Sequence, residues 1–123
     1  HIGFVTVVAS LKFPQARILS YEASPPSYSQ LSANVNHNAG DNVRIHNRAV
    51  IGENQPPIAT AEVRFNWRNP GLASCTMSQS DFGRLGPDFA PYFQAFEVPT
   101  VTLPEIFASH QVASVALLKL DCE

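Results

Sequence analysis

A chain of 123 residues, 45% of them hydrophobic, suffices for one globular core and shows no composition shift that would divide it in two. Eight Lys and Arg against ten Asp and Glu give a formal charge of −2 with no basic run, which argues against nucleic acid as a direct partner. No apolar stretch approaches the ~20 residues of a membrane span, and the start lacks a charged region followed by a cleavage site, so a soluble, cytoplasmic protein is expected.

In chain order, Gly3 to Leu11 is apolar at Phe4, Val5, Val7, Val8 and Leu11. That is too continuous for a surface helix and predicts one packed on a sheet and ended by Pro14. Ile18, Leu19 and Tyr21 read as a short strand with Glu22 at its carboxyl end, followed by the turn Glu22 to Pro26. Ser24 with Pro25 at the first helical position is the preferred cap of the next helix, with Ser27 and Gln30 as the other choice. Tyr28, Leu31 and Val35 then recur at helical spacing, and Gly40 supplies a terminus after about Asn38. Val43 to Val50 alternates and reads as one further strand.

Strand, helix and strand at this spacing define a parallel βαβ unit. Ala59, Ala61, Val63, Phe65 and Trp67 alternate strictly with Thr60, Glu62, Arg64 and Asn66, which predicts a half-buried antiparallel addition or edge strand. Residues 69–95 are rich in Gly, Pro, Ser and Asp and read as a long loop with a possible strand near Ala73 to Met77. Val98 to Thr102 is a short β segment, and Thr102 with Glu105 forms a capping box for a helix to about His110. Val115 to Leu120 is nearly all apolar, as in a strand covered on both faces.

The fold class expected is therefore α/β: an open, mostly parallel sheet flanked by helices, with an antiparallel β addition. The lack of a starting Met and the ending on Asp121-Cys122-Glu123 read as unnatural ends, so a single partial domain over 1–123 is expected, without its first strand and its C-terminal strands. Cys75 and Cys122 belong to no C-x-x-C pair and are expected as reduced, buried thiols.

Ligands of such sheets bind outside the carboxyl ends of the strands. Gly3, Glu22 and the pair Asp121 and Glu123 fall there together. Gly3 opens a helix whose N–H groups a ligand could approach, and Glu22 follows it by about the separation at which dinucleotide-type folds set an acid on ribose hydroxyls. On spacing alone, a solvated Glu at a strand end explains Glu22 equally well. His37 and His46 lack a Cys or carboxylate at ligand spacing and read as surface residues; His1 and His110 are no better, and no metal is expected. Phe65, Trp67, Phe89, Tyr92, Phe93 and Phe96 could line an acceptor pocket, but core packing is the commoner role. Ser74, Cys75 and Ser78 have no partnered His and Asp pattern for nucleophilic catalysis.

The chain resembles the FkbM family of methyltransferases. The likeness runs through His1-Ile2-Gly3, the last positions of the family's glycine turn, then Tyr21-Glu22-Ala23-Ser24-Pro25 with Tyr28 and Leu31, Asn34 to Asn38, and Val43 to Val50. It resumes at Asn69-Pro70-Gly71 with Ser74 and at Val98 to Leu103, and closes on Leu117-Leu118-Lys119-Leu120-Asp121-Cys122-Glu123, its most specific element. The resemblance implies a Rossmann-like domain of the class I methyltransferase type that binds S-adenosylmethionine and methylates a hydroxyl of a small molecule or sugar. His1, Ile2 and Gly3 would lie beside the methionine part of that cofactor, Glu22 and Ala23 at the ribose, and Asn47, Arg48 and Ala49 at the adenine. Asp121 and Glu123 would orient the acceptor hydroxyl or accept its proton, with a helix cap as the other reading of Asp121. A non-catalytic α/β module or inactive methyltransferase fragment is the first alternative. An NAD(P)-dependent oxidoreductase is the second, opposed by Thr6 at the position where the dinucleotide fingerprint wants a glycine.

Overall fold

A computed structural model describes residues 2–53, 59–68 and 90–120. Helix α1 spans Phe4–Lys12 and starts from Gly3, whose φ of 95° lies in the left-handed region that favours glycine. A Cβ on Gly3 would meet Leu31 Cδ1 at 2.7 Å, so the same glycine also permits the close approach of α1 to the next helix. Only one face of α1 packs inward. Val7 touches the cluster of Leu31, Val35 and Val43, and Ser10 is buried, donating to Asn42 Oδ1 at 2.6 Å and accepting from Gly40 N at 2.9 Å. Phe4 and Leu11 stay exposed, so the helix packs inward on one side although its apolar residues run nearly all round.

Strand β1, Ile18–Tyr21, leads into α2, Pro25–Asn38, and then into β2, Val43–His46. Ser24 caps α2 as expected: its hydroxyl accepts from Ser27 N, and proline occupies the opening turn, where a missing N–H costs nothing. The helix ends at Asn38 as expected, but not through a left-handed Gly40. Ala39 ends α2 in an extended conformation, and Gly40 has no positive φ; a Cβ on Gly40 would instead crowd Asn42 Oδ1 at 3.1 Å. β1 and β2 pair in parallel, Ile18 with Val43 through Tyr21 with His46, which makes β1–α2–β2 the βαβ unit that the spacing predicts. Leu31, Val35 and Val43 form its buried core, with Ile18, Ile45, Tyr28 and Ala39 around them.

The strand expected over Val43 to Val50 is two strands. β2 ends at His46, Asn47 and Arg48 lie outside any ladder, and β3, Ala49–Ile51, pairs with a different partner. At the break the Asn47 side chain donates to the carbonyls of Glu22 at 2.8 Å and Ala23 at 3.0 Å, so the ladder gives way to a side-chain link and the chain steps across.

β3 joins a three-stranded sheet of order β3-β5-β4, in which β4 is Thr60–Asn66 and β5 is Phe93–Thr102. β5 is central, parallel to β3 and antiparallel to β4 through seven residue pairs from Thr60–Pro99 to Asn66–Phe93. β4 is thus the antiparallel edge strand that its alternation predicts, with Val63 and Phe65 buried and Trp67 beyond it exposed. Ala49, Val63 and Val98 form the second core cluster. Helix α3, Leu103–Ser109, follows β5 directly behind the predicted capping box: Glu105 N donates to Thr102 Oγ1, and Thr102 N to Glu105 Oε2.

The run Val115–Leu120 is not a strand. Leu117 is 73% exposed, and no strand of the described residues pairs with the run. An apolar segment becomes a strand only beside a ladder partner, because an unpaired extended chain leaves its N–H and C=O groups to water. The protein is thus mixed α/β, and its described residues form two small sheets, one parallel and one partly antiparallel. The expected strand near Ala73 to Met77, with Ser74, Cys75, Ser78, Phe89 and Cys122, lies outside the described residues.

Candidate functional site

The register of the βαβ unit sets the carboxyl ends of β1 and β2 side by side. Tyr21 is opposite His46, and Glu22 N donates to His46 O at 3.0 Å, extending the ladder by one bond. Glu22 then turns its carboxylate toward the start of α2, where Oε1 accepts from Ser24 N at 2.9 Å. Asn47 closes the arrangement from the β2 side through its two bonds to the Glu22 and Ala23 carbonyls.

Glu22, Ala23 and Asn47 are therefore brought together. Ala23 and Ala49 use their side chains in the core: Ala49 is buried beside Val63 and Val98, and Ala23 packs against that cluster. Either could offer a ligand only its backbone. Arg48 is exposed, and its charge acts on Tyr21, His46 and Glu105. Gly3 is fixed by its contact with Leu31, and the carbonyl of exposed Ile2 accepts from Asn34 Nδ2 at 2.7 Å. Thr6 Oγ1 and Ser20 Oγ lie 3.0 Å apart, tying α1 to β1. His1, Asp121 and Glu123 lie outside the described residues.

The sequence reading missed the polar group beside these residues. His46 is not a surface side chain: its ring stacks on Tyr21 with centroids 4.7 Å apart and an interplanar angle of 17°. His110, just past α3, meets the same ring edge-on at 5.0 Å and 62°, and Tyr21 Oη lies 3.1 Å from His110 Nε2. His46 Nε2 is buried, with no hydrogen-bond partner among the described residues. Burial, then His110, then Arg48 hold the His46 pKa below its ordinary 6.5. Burial raises the Tyr21 hydroxyl above 10.0, and Arg48 partly opposes that rise. Parallel pairing of the two predicted strands was the available signal, since their last residues, Tyr21 and His46, then share a face.

The other features singled out in the sequence are not gathered here. His37 is exposed, as expected. Phe65 is core, Trp67 meets Phe65 edge-on at 5.0 Å and donates to Gln94 Oε1, and Tyr92 lies under the Arg68 guanidinium at 5.3 Å. A hollow of about 200 Å³ lined by Gln15, Ala16, Arg17, Asp41, Asn42 and Arg44 sits at the amino ends of β1 and β2, opposite Glu22 and Asn47. Its Asn42 amide is already spent on the carbonyls of Phe13 and Ala16.

Among the described residues, no group of three or more His, Cys, Asp or Glu is placed to hold a metal, and no helix is long and apolar enough to cross a membrane. Comparison of the chain with protein-family models, curated proteins and solved structures finds no match.

Proposed function

We propose that this chain carries part of a Rossmann-like, class I methyltransferase domain, similar to the FkbM family, that binds S-adenosylmethionine and transfers its methyl group to a hydroxyl of a small molecule or sugar. The observation that carries the reading is Glu22. It is an acid at the carboxyl end of a strand in a parallel βαβ unit, pinned by Ser24 N and framed by Asn47. A carboxylate so held suits a vicinal diol, and each charge-assisted bond to a ribose hydroxyl would contribute roughly 1.5–3 kcal/mol. Thr6 favours this reading over a nicotinamide-dependent reductase, because a branched side chain bonded to Ser20 occupies the position where that fingerprint needs a glycine.

In this reading the bound cofactor supplies an electrophilic methyl on a cationic sulfur. The protein's task is then alignment of the acceptor oxygen, with no covalent intermediate. Glu22 orients the nucleoside, Asn47 keeps the Glu22 turn in place, and the backbone near Arg48 and Ala49 borders the base. Asp121 and Glu123 are proposed to orient the acceptor or take its proton, a general-base contribution of about 10²-fold or more.

Calorimetric titration of S-adenosylhomocysteine into the protein, comparing native Glu22 with Glu22→Ala, tests the reading. The expected result is binding that weakens about tenfold or more, the equivalent of ~1.4 kcal/mol from one lost charge-assisted bond. Absence of binding by the folded protein would sink the cofactor assignment and leave a non-catalytic α/β module.

A further inference from the structure

We infer that Tyr21, His46 and His110 form an acid-opened clasp that fastens the end of α3 to the parallel pair β1–β2. This inference is independent of the methyltransferase reading, since it rests on three rings and the chain elements that carry them. Tyr21 and His46 are the last residues of adjacent parallel strands and are held in register by a four-residue ladder. His110 comes from far along the chain, immediately after the seven-residue helix α3. Stacking of Tyr21 on His46, the edge contact of His110 with His46 and the Tyr21–His110 hydrogen bond close a three-membered ring of contacts between these elements.

The closed clasp admits only neutral His46. Its Nε2 is shut off from water and has no partner among the described residues, so an added proton there would have nothing to receive it. The charged or titratable groups around it act in the same direction. His110 faces it from α3, Arg48 follows it on its own segment, and Tyr21 on β1 presents a hydroxyl that stays protonated. Glu105 on α3 interacts with the Arg48 charge and lies on the exposed side.

Relief of a charged His46 requires one side of the clasp to move, and the two sides are unequally held. β2 is fixed by its ladder to β1. The end of α3 is short and passes directly into Gln111, the one non-glycine residue among those described with a positive φ, at 52°. A side-chain-bearing residue is disfavoured in that left-handed conformation, so the end of α3 carries a local cost that β2 lacks. Acidification through the histidine range therefore frees the end of α3 from the strand ends that carry Glu22 and Asn47.

The test is amide hydrogen exchange of residues 103–112, corrected for the intrinsic pH dependence, measured from about pH 8 to about pH 5, the range in which histidines change charge. The native protein is expected to lose protection in this segment on acidification while β4 and β5 keep theirs. His46→Phe, which keeps a stacking ring but has no proton to gain, is expected to retain protection throughout. Unchanged protection in the native protein, equal loss in His46→Phe, or loss spread evenly over β4 and β5 would each overturn the proposal. Should His46→Phe fail to fold, the ring titration of His46 in the native protein decides: a midpoint below 6.5 supports the clasp, and one at or above 6.5 overturns it.

Discussion

The two sheets are built on different principles. The parallel pair β1–β2 is a ladder of four residue pairs, and its solidity comes from helix packing, with α2 contributing Leu31 and Val35 to the core around Val43. The sheet β3-β5-β4 relies on a seven-pair antiparallel ladder, and its buried cluster of Ala49, Val63 and Val98 comes from the strands themselves. The polar groups with chemical capacity, Glu22, Asn47 and the stacked pair Tyr21 and His46, belong to the parallel unit, and His110 reaches them from the end of α3. Parallel strands end together with their carbonyl ends exposed, so they gather polar side chains at one rim, whereas antiparallel neighbours end in opposite directions.

The sharpest way to break this contrast is Leu31→Ala. Leu31 is 1% exposed and touches both the α1 start and the β1–β2 core, so a loss of about 2–5 kcal/mol is expected by urea denaturation, as for other buried leucines. Exchange protection should fall first in β1 and β2 if the two sheets are separately supported; equal loss in β4 and β5 would show them to be one cooperative unit. Next in size is Asn47→Ala, which strips a donor from the Glu22 and Ala23 carbonyls. About 1–3 kcal/mol is expected, together with weaker S-adenosylhomocysteine binding, whereas an unchanged stability curve would show that water replaces the amide.

Gly3→Ala should cost about 1–2 kcal/mol for a left-handed residue, with displacement of Leu31 in addition, measured by the thermal midpoint. The smallest effect is expected at α3, on the antiparallel side. Thr102→Ala removes the capping hydroxyl for about 0.5–2 kcal/mol. Thr102 also holds the Glu105 carboxyl below its ordinary 4.5 through a backbone and a side-chain hydrogen bond. Glu105 therefore contributes stability that is present above pH 4.5 and is lost as the pH falls through its lower folded value. In Thr102→Ala the Glu105 titration, followed by NMR, should move up toward 4.5.

β4 and the Val115–Leu120 run carry the lesson about legibility. By composition the run is the stronger strand, yet it is exposed and joins no ladder among the described residues, while β4, with a polar residue at every second position, has a full one. Apolar content says that a segment can be buried, but a ladder needs a neighbour, and β5 supplies one only to β3 and β4. Likewise Val43 to Val50 reads as one strand because Val43 and Ile45 alternate with Arg44 and His46 and no turn residue of the Gly or Pro kind intervenes before Val50, and nothing in the segment reveals that Asn47 is bonded to residues 24 and 25 positions earlier.

What the sequence by itself determined was local: the helices over Phe4–Lys12, Pro25–Asn38 and Leu103–Ser109, the Ser24 cap, the Thr102–Glu105 capping box and the alternation of β4. Each rests on interactions between residues a few positions apart, which the spacing of residue types encodes directly. Only the tertiary structure decided the choice of strand partners, the step from β2 to β3, the exposed state of Val115–Leu120 and the meeting of Tyr21 with His110, 89 residues further on. Such contacts depend on which surfaces the packed elements leave adjacent, and no residue carries that information within its own segment.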